Sequence, residues 1–353
     1  MRVLFANTFY KLKGVPNRVS PVDYWRIINP AKALQRNTDW TVDIQDDLIQ
    51  ENEDPKKVFP EIGKNYDVVI SNYHGNGASL AWMHYLNEHY GTKYAISIDD
   101  DITAVKEKNR GLEYYKKKPE QYANIITVLE LAPNLITTNK YLKYRLELLN
   151  KNIHIFDNYI DKNIYIPQKK TKRDYVTIGY QGGSTHREDL LDSGFYTAIV
   201  RIIKKYDKRV RLRLFGQRVA ELEALPRVIY TPGYQNYLEY VRKWQEWISN
   251  IDIGVAPLEN KEFNLSKSDI KVQEYGIAGV PVITSKIATY ANIITEKNGM
   301  MASDADEWEK CLTIMIEDKL ARGKFGIEIK KTVDKLTSDK NYKKMVKVIE
   351  NLV

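Results

Sequence analysis

Short apolar runs bounded by turn signals alternate with longer helical patterns along the sequence, and they do so in two successive blocks. That alternation marks βαβ units, in which a strand feeds a crossover helix and the next strand lies parallel to the last. In the first block the expected strands are Arg2–Ala6, Thr41–Ile44, Asp67–Ser71, Lys93–Ile98, Asn134–Thr137 and Asn152–Phe156. Helices are expected at Pro21–Gln35, Gly77–Tyr90, Pro119–Leu131 and Lys140–Asn150, with Pro21 and Pro119 suited to first turns. Residues 161–173, with Pro167 and the run Lys169-Lys170-Thr171-Lys172-Arg173, have no apolar period and read as a linker. The pattern then restarts. Strands are expected at Tyr175–Tyr180, Val210–Phe215, Val228–Tyr230, Ile251–Ala256 and Val280–Thr284, and helices at Glu188–Tyr206, Tyr234–Asn250, Lys267–Ala278 and Asp304–Asp318. The expectation is an α/β chain of two doubly wound, Rossmann-like domains, residues 1–160 and 174–335, followed by a charged amphipathic helix within 336–353. Such sheets bind ligands beyond the carboxyl ends of their strands, so the expected site is the cleft between the domains.

Composition narrows the class. The 353 residues are 43% hydrophobic and 28% charged, which excludes a disordered or collagen-like chain. No stretch approaches the roughly 18 uninterrupted apolar residues of a membrane span. Met1–Asn7 reads as a buried strand, not a leader. The single Cys311 can form no intrachain disulfide, which suits a reducing cytoplasm. A net charge of +8 favours anionic partners such as nucleic acid, lipid headgroups or nucleotide phosphates, and equally fits a lysine-rich proteome.

The most informative stretch runs from Asp252-Ile253-Gly254-Val255-Ala256-Pro257-Leu258 through Asn264-Leu265-Ser266-Lys267-Ser268-Asp269-Ile270-Lys271-Val272-Gln273-Glu274-Tyr275 to Gly279-Val280-Pro281-Val282-Ile283. It reads as strand, loop, helix, tight turn, strand, with Ser266 or Ser268 as the helix cap and Gly279 just past its end. Lys267, Lys271 and Glu274 are spaced to share one helix face. A helix start flanked by two lysines is a ready diphosphate site, because free N–H groups and ammonium charge converge there. A carboxylate two turns on is placed for a ribose diol. The alternative is an ordinary capped helix with solvated lysines.

This segment resembles the donor-binding helix of the retaining GT-B glycosyltransferases of the family 4, group 1 type, carried by Lys267-Ser268, Lys271, Glu274-Tyr275 and Gly279–Ile283. The likeness extends to Gly182-Gly183-Ser184-Thr185-His186-Arg187-Glu188-Asp189-Leu190, where His186 stands one position earlier than in the family's turn. It extends also to Asn158-Tyr159-Ile160-Asp161 and to Asn298-Gly299. Many members carry two glutamates on the donor helix. Glu274 matches the second, and Ser266 stands at the first, which in the family contacts the transferred sugar. The resemblance implies donor binding by Gly182, Gly183, Ser184, Arg187, Arg218, Lys267, Ser268, Lys271 and Glu274, with lysine and helix dipole replacing a metal and no cofactor required.

In the first block, His74 follows a strand and precedes a helix, which suits either a sugar-binding cleft residue or a plain loop histidine. Asp99-Asp100-Asp101 ends a strand, where three carboxylates are costly unless solvated, hydrogen-bonded or metal-bound; it resembles the cleft-lining acceptor or base element of related GT-B enzymes or the metal pair of a GT-A enzyme, with a helix cap as the plain alternative. His74, Asp99, Asp100 and Ser266 are the catalytic candidates. Lys11, Lys13, Arg18 and Arg26 are the acceptor candidates, since the N-terminal loop overlies the cleft in this family. The implied activity is retaining transfer of a hexose, glucose by expectation, from a UDP-sugar to an acceptor hydroxyl. Hydroxymethylated pyrimidine in DNA is one expected acceptor, since phage DNA-modifying glucosyltransferases share the fold and scattered cations suit phosphate contacts. Envelope, teichoic-type or lipid-linked glycans are the other expected acceptors, and a catalytically silent GT-B partner subunit or an epimerase of the same fold are the rivals to transfer. The expected compartment is bacterial or phage-infected host cytosol, and the final helix is expected to cross back to the first domain.

Overall fold

The computed structural model describes residues 1–10, 19–49, 54–72, 77–104, 113, 116–170, 172–183, 186–216, 218–234 and 236–353. The expectations placed on Lys11, Lys13, Arg18, His74 and Ser184 lie outside the described residues.

Two six-stranded parallel sheets, one from each block, carry the architecture. The first is built from β1 (Arg2–Tyr10), β2 (Thr41–Ile49), β3 (Val68–Asn72), β4 (Lys93–Ile98), β5 (Leu135–Thr137) and β6 (Ile153–Ile155), in the order β2-β1-β3-β4-β5-β6. The second is built from β7 (Val176–Gly182), β8 (Val210–Gly216), β9 (Val228–Pro232), β10 (Ile253–Ala256), β11 (Val282–Ser285) and β12 (Gly299–Ala302), in the order β12-β11-β10-β7-β8-β9. The strand order of each sheet reverses once, between β1 and β3 in the first and between β7 and β10 in the second. Adjacent crossovers leave on opposite faces at such a point, and a crevice opens there. This is the two-domain α/β plan read from the sequence.

Helices cover both faces. Residues 21–37 form helix α1, in which a π-helical turn, Tyr24–Ile28, separates two α-helical stretches. Ser20 and Asp23 close its start as a capping box, and Pro21 occupies the first turn. On the other face of the first sheet lie α2 (Pro55–Asn65), α3 (Gly77–Tyr90), α4 (Pro119–Leu131) and α5 (Lys140–Leu146), which bury Phe59, Met83, Val128 and Leu142. In the second domain α6 (Arg187–Asp192) and α7 (Phe195–Tyr206) replace the single expected helix 188–206. They part at Gly194, whose φ of 86° admits glycine most readily and where a Cβ would lie 2.6 Å from the Ala305 backbone nitrogen. Helices α8 (Tyr237–Ile248), α9 (Ile270–Ile277), α10 (Ala305–Glu317) and α11 (Lys319–Val333) complete the layers. Trp244, Val272 and Ile329 pack on one face of the second sheet, and Ile199, Trp308 and Leu312 on the other.

The final helix, α12 (Ser338–Glu350), leaves the second domain. Met345 and Ile349 pack with Ile27, Ala31 and Leu34 of α1 on the first sheet. The chain therefore crosses between domains twice, and the crossings run side by side. Ile160 N–H donates to the Leu336 carbonyl (3.1 Å), and Ser338 N–H donates to that of Ile160 (3.0 Å). Within the first crossing, Tyr165 is fully buried in the core that Trp244 shares, so 161–173 is not a solvated tether throughout.

Candidate active site

A cavity of about 510 Å³ opens at the strand-order reversal of the second sheet and faces the first domain. Its floor is the carboxyl edge of β7 to β9, where Gly182, Gly183, Gly216 and Gly233 present backbone in place of side chains. Gly216 has φ of 92°, and a Cβ there would lie 2.6 Å from the Gly182 carbonyl oxygen, so any side chain would force the strands apart. A side-chain-free floor lets a ligand approach the backbone closely.

One wall is aromatic. Trp25 from α1 meets Tyr234, Tyr237 and Tyr240 at the start of α8. Tyr237 and Tyr240 stack with ring centroids 5.3 Å apart, and Tyr240 stacks on Phe215 at 4.9 Å. The Trp25 indole N–H donates to the Tyr237 hydroxyl at 2.5 Å, which ties this wall across the domains.

The opposite wall is charged. Helix α9 begins at Ile270 with Asp269 in the capping position, so neither Ser266 nor Ser268 is the cap. Lys267 therefore precedes the helix instead of sharing its face, because Phe263-Asn264-Leu265 close a separate short turn first. Both lysines still line the cavity. Lys267 Nζ lies 2.6 Å from Asp100 Oδ1 of the first domain, a partly exposed pair of the kind worth about 1 kcal/mol or less. Lys271 Nζ lies 3.2 Å from His186 Nε2, and His186 Nδ1 lies 2.8 Å from Asp189 Oδ2. Asp189 is itself fixed, since Oδ1 accepts from the Asn264 amide (2.6 Å) and the Glu259 N–H (3.0 Å). Burial, then the Lys271 charge, hold His186 down to about 4, so its ring is neutral near pH 7. Burial, then the Lys267 charge, bring Lys271 down to about 8.

Glu274 lines the cavity at 3% exposure, accepting from the Tyr165 hydroxyl (2.7 Å) and the Gln181 amide (2.6 Å). Burial pushes its carboxyl up to about 7, against the pull of the Tyr165 bond and Lys271. The three aspartates after β4 divide. Asp99 lines the cavity and is raised to about 7 by burial and then by Asp100. Asp100 pairs with Lys267, while Asp101 turns away, accepting from Arg145 (2.8 Å) and from the Thr103 N–H (3.0 Å) as a cap of the turn Ile102–Ala104. That use of Asp101 removes it from an Asp99–Asp101 metal pair.

Four candidates do not meet the others. Arg187 and Arg218 point to Glu221 and Glu223, and neither lines the cavity. The carboxylates nearest to them outcompete a site further off. Ser266 is fully buried, with its hydroxyl at 3.4 Å from the Glu262 carbonyl, and lines nothing. Arg26, expected to meet an acceptor, is buried in the first domain, donating to Ser97, to the Phe156 carbonyl and to Asn158 Oδ1. Asn158 in turn donates to Ser268 Oγ (3.0 Å), so the Asn158–Asp161 motif is a domain clamp. Asn139 and Arg145 strengthen it, through the Ser266 carbonyl (2.8 Å) and Glu262 (3.1 Å). Sequence reasoning missed His186, Gln181, Tyr165 and the aromatic wall as site members. For His186 the readable signals were its place in the Gly182–Leu190 resemblance and its spacing of one helical turn from Asp189.

Residues 177–318, which hold the floor and the charged wall, match the family described as glycosyl transferases group 1. The second domain is thus similar to the group 1 glycosyl transferases. The whole chain is similar in fold to sucrose-phosphate synthase from Thermosynechococcus elongatus, with 15% identity and a TM-score of 0.68 over 100% of this chain and 99% of that one. Anabaena HepE, solved in complex with UDP and glucose, matches at 10% identity and a TM-score of 0.66, with 100% of each chain covered. Staphylococcus aureus TarM, solved in complex with Fondaparinux, alpha-GlcNAc-glycerol and UDP, matches at 13% identity and 0.57, over 82% of this chain and 57% of that one. No curated protein matches the sequence. The two domains together have the GT-B fold, and the second supplies the greater part of the cavity. No helix among the described residues is long and apolar enough to cross a membrane.

Proposed function

We propose that the chain transfers a hexose, glucose first among candidates, from UDP-glucose or a related nucleotide sugar to an acceptor hydroxyl, with retention of anomeric configuration. The observation that carries this reading is the convergence of Lys271, Lys267 and the start of α9 on a glycine-floored cavity at the sheet's reversal point. A diphosphate fits that charge and those open N–H groups, the aromatic wall suits a flat base or sugar face, and Glu274 stands within reach of a ribose diol. The UDP complexes of the HepE and TarM structures support the same choice of donor. Leaving-group charge is met by lysine and helix dipole, so no metal is required in this reading, and the departing diphosphate can take the acceptor proton. The donor lies on the second domain, and Asp99 and Asp100 of the first meet the acceptor hydroxyl.

The test is a screen of UDP- and GDP-sugars with chelator present, with and without hydroxymethylpyrimidine DNA or a glycan acceptor, reading nucleoside diphosphate release. DNA-dependent release supports a DNA glycosyltransferase and gives the +8 charge a use. Release only with a glycan moves the acceptor to an envelope or lipid-linked polymer. Donor binding with no release under any pairing leaves a silent subunit, and abolition of release by chelator overturns the metal-free step.

A further inference from the structure

The cavity holds two lysines, and they are not equivalent. Lys267 already has a carboxylate partner in Asp100, whereas Lys271 meets the neutral nitrogen of His186. An ammonium has only donors, so His186 Nε2 must accept from it, which puts the ring proton on Nδ1 and aims it at Asp189. Asp189 is locked by Asn264 and the Glu259 N–H, and the side chains of His186 and Asp189 are only 12% and 5% exposed. A fixed carboxylate thus sets the tautomer of a fixed ring, and the ring sets the place of the amine. We infer that His186 is a positioning residue that holds the Lys271 ammonium in the cavity without a carboxylate bonded to it, ready for the donor's diphosphate. This rests on the donor reading above. A carboxylate in the place of His186 would cancel the charge the ligand needs, and an apolar group would let the amine swing towards Asp189, Glu274 or Asp100, the anions whose charge reaches it. A neutral acceptor avoids both.

The experiment measures binding of UDP and of uridine by calorimetry to the full chain, to His186→Ala, His186→Gln and Lys271→Met, and to the double variant that combines His186→Ala with Lys271→Met. His186→Ala is expected to weaken UDP about tenfold, the size of one charge-assisted hydrogen bond, and to leave uridine unchanged. His186→Gln, which keeps an accepting oxygen, is expected to recover most of the loss, and the double variant to bind UDP no worse than Lys271→Met alone. Equal losses for uridine and UDP, or additive losses in the double variant, overturn the inference and leave His186 a structural residue. If the unaltered chain does not bind UDP, the donor reading fails and the inference falls with it.

Discussion

The two sheets share strand number and parallel sense, but their carboxyl edges differ in charge and in bulk. At the second sheet, glycines lie flat beneath the cavity and lysines stand over it. At the first, the described edge that reaches the cavity carries Asp99 and Asp100. Strand order differs too, since only the second sheet reverses between its first and fourth strands, the order of a nucleotide-binding domain. Two copies of one plan thus carry opposite chemistry at their carboxyl edges. The second presents backbone and ammonium to the cavity, and the first presents carboxylates.

The sharpest way to break that contrast is Lys271→Met. It should cost UDP affinity ten- to a hundredfold, the range of a hydrogen bond to a charged group, while sparing uridine, as calorimetry reads. The same contrast has a pH signature. Lys271 is charged below about 8, so UDP affinity should hold in the acid direction and fall as pH rises through that value, and Lys271→Met should lose the fall. Asp100→Asn sharpens the comparison from the other side. Freeing Lys267 from a partly exposed pair should improve UDP binding a few-fold, about 1 kcal/mol at most, measured under low salt.

Asp99 gives a stability test. Burial holds its folded value at about 7, above that of an unfolded chain, so the folded protein binds the extra proton between the two values and stability falls as pH rises through that window. Asp99→Asn should remove part of that fall, raising the melting temperature more at pH 8 than at pH 4. The smallest effect belongs to Arg218→Ala, whose partner is Glu223 at the rim of the fold. UDP affinity should change less than twofold in the same titration.

Much of the fold was legible because parallel strands buried on both faces read as apolar runs. Lys93–Ile98, Gly77–Tyr90 and Pro119–Leu131 coincide with observed elements to the residue. The strand Gly299–Ala302 was not read, since Gly-Met-Met-Ala carries no β-branched or aromatic residue and its position comes from pairing with β11. Helix α2 was missed for a similar reason, with Pro60 inside it. In the cavity, the lysines and Glu274 were legible from local spacing. Tyr165, Gln181 and Tyr237 were not, because they join one network only after residues 72 to 109 positions apart are brought together. Arg187 and Arg218 misled for the complementary reason: charge type is visible in a sequence, but the nearer carboxylate that claims it is not.

The return of α12 to the first domain has a consequence for synthesis. Residues 174–335 are, in spatial terms, an insertion within the N-terminal domain, and that domain's outer layer cannot close over Ile27, Ala31 and Leu34 until Met345 and Ile349 leave the ribosome. The inserted domain has its sheet and both cores complete earlier. The part translated first is therefore finished last, and a released chain truncated before residue 338 should present a folded second domain beside a half-clothed sheet.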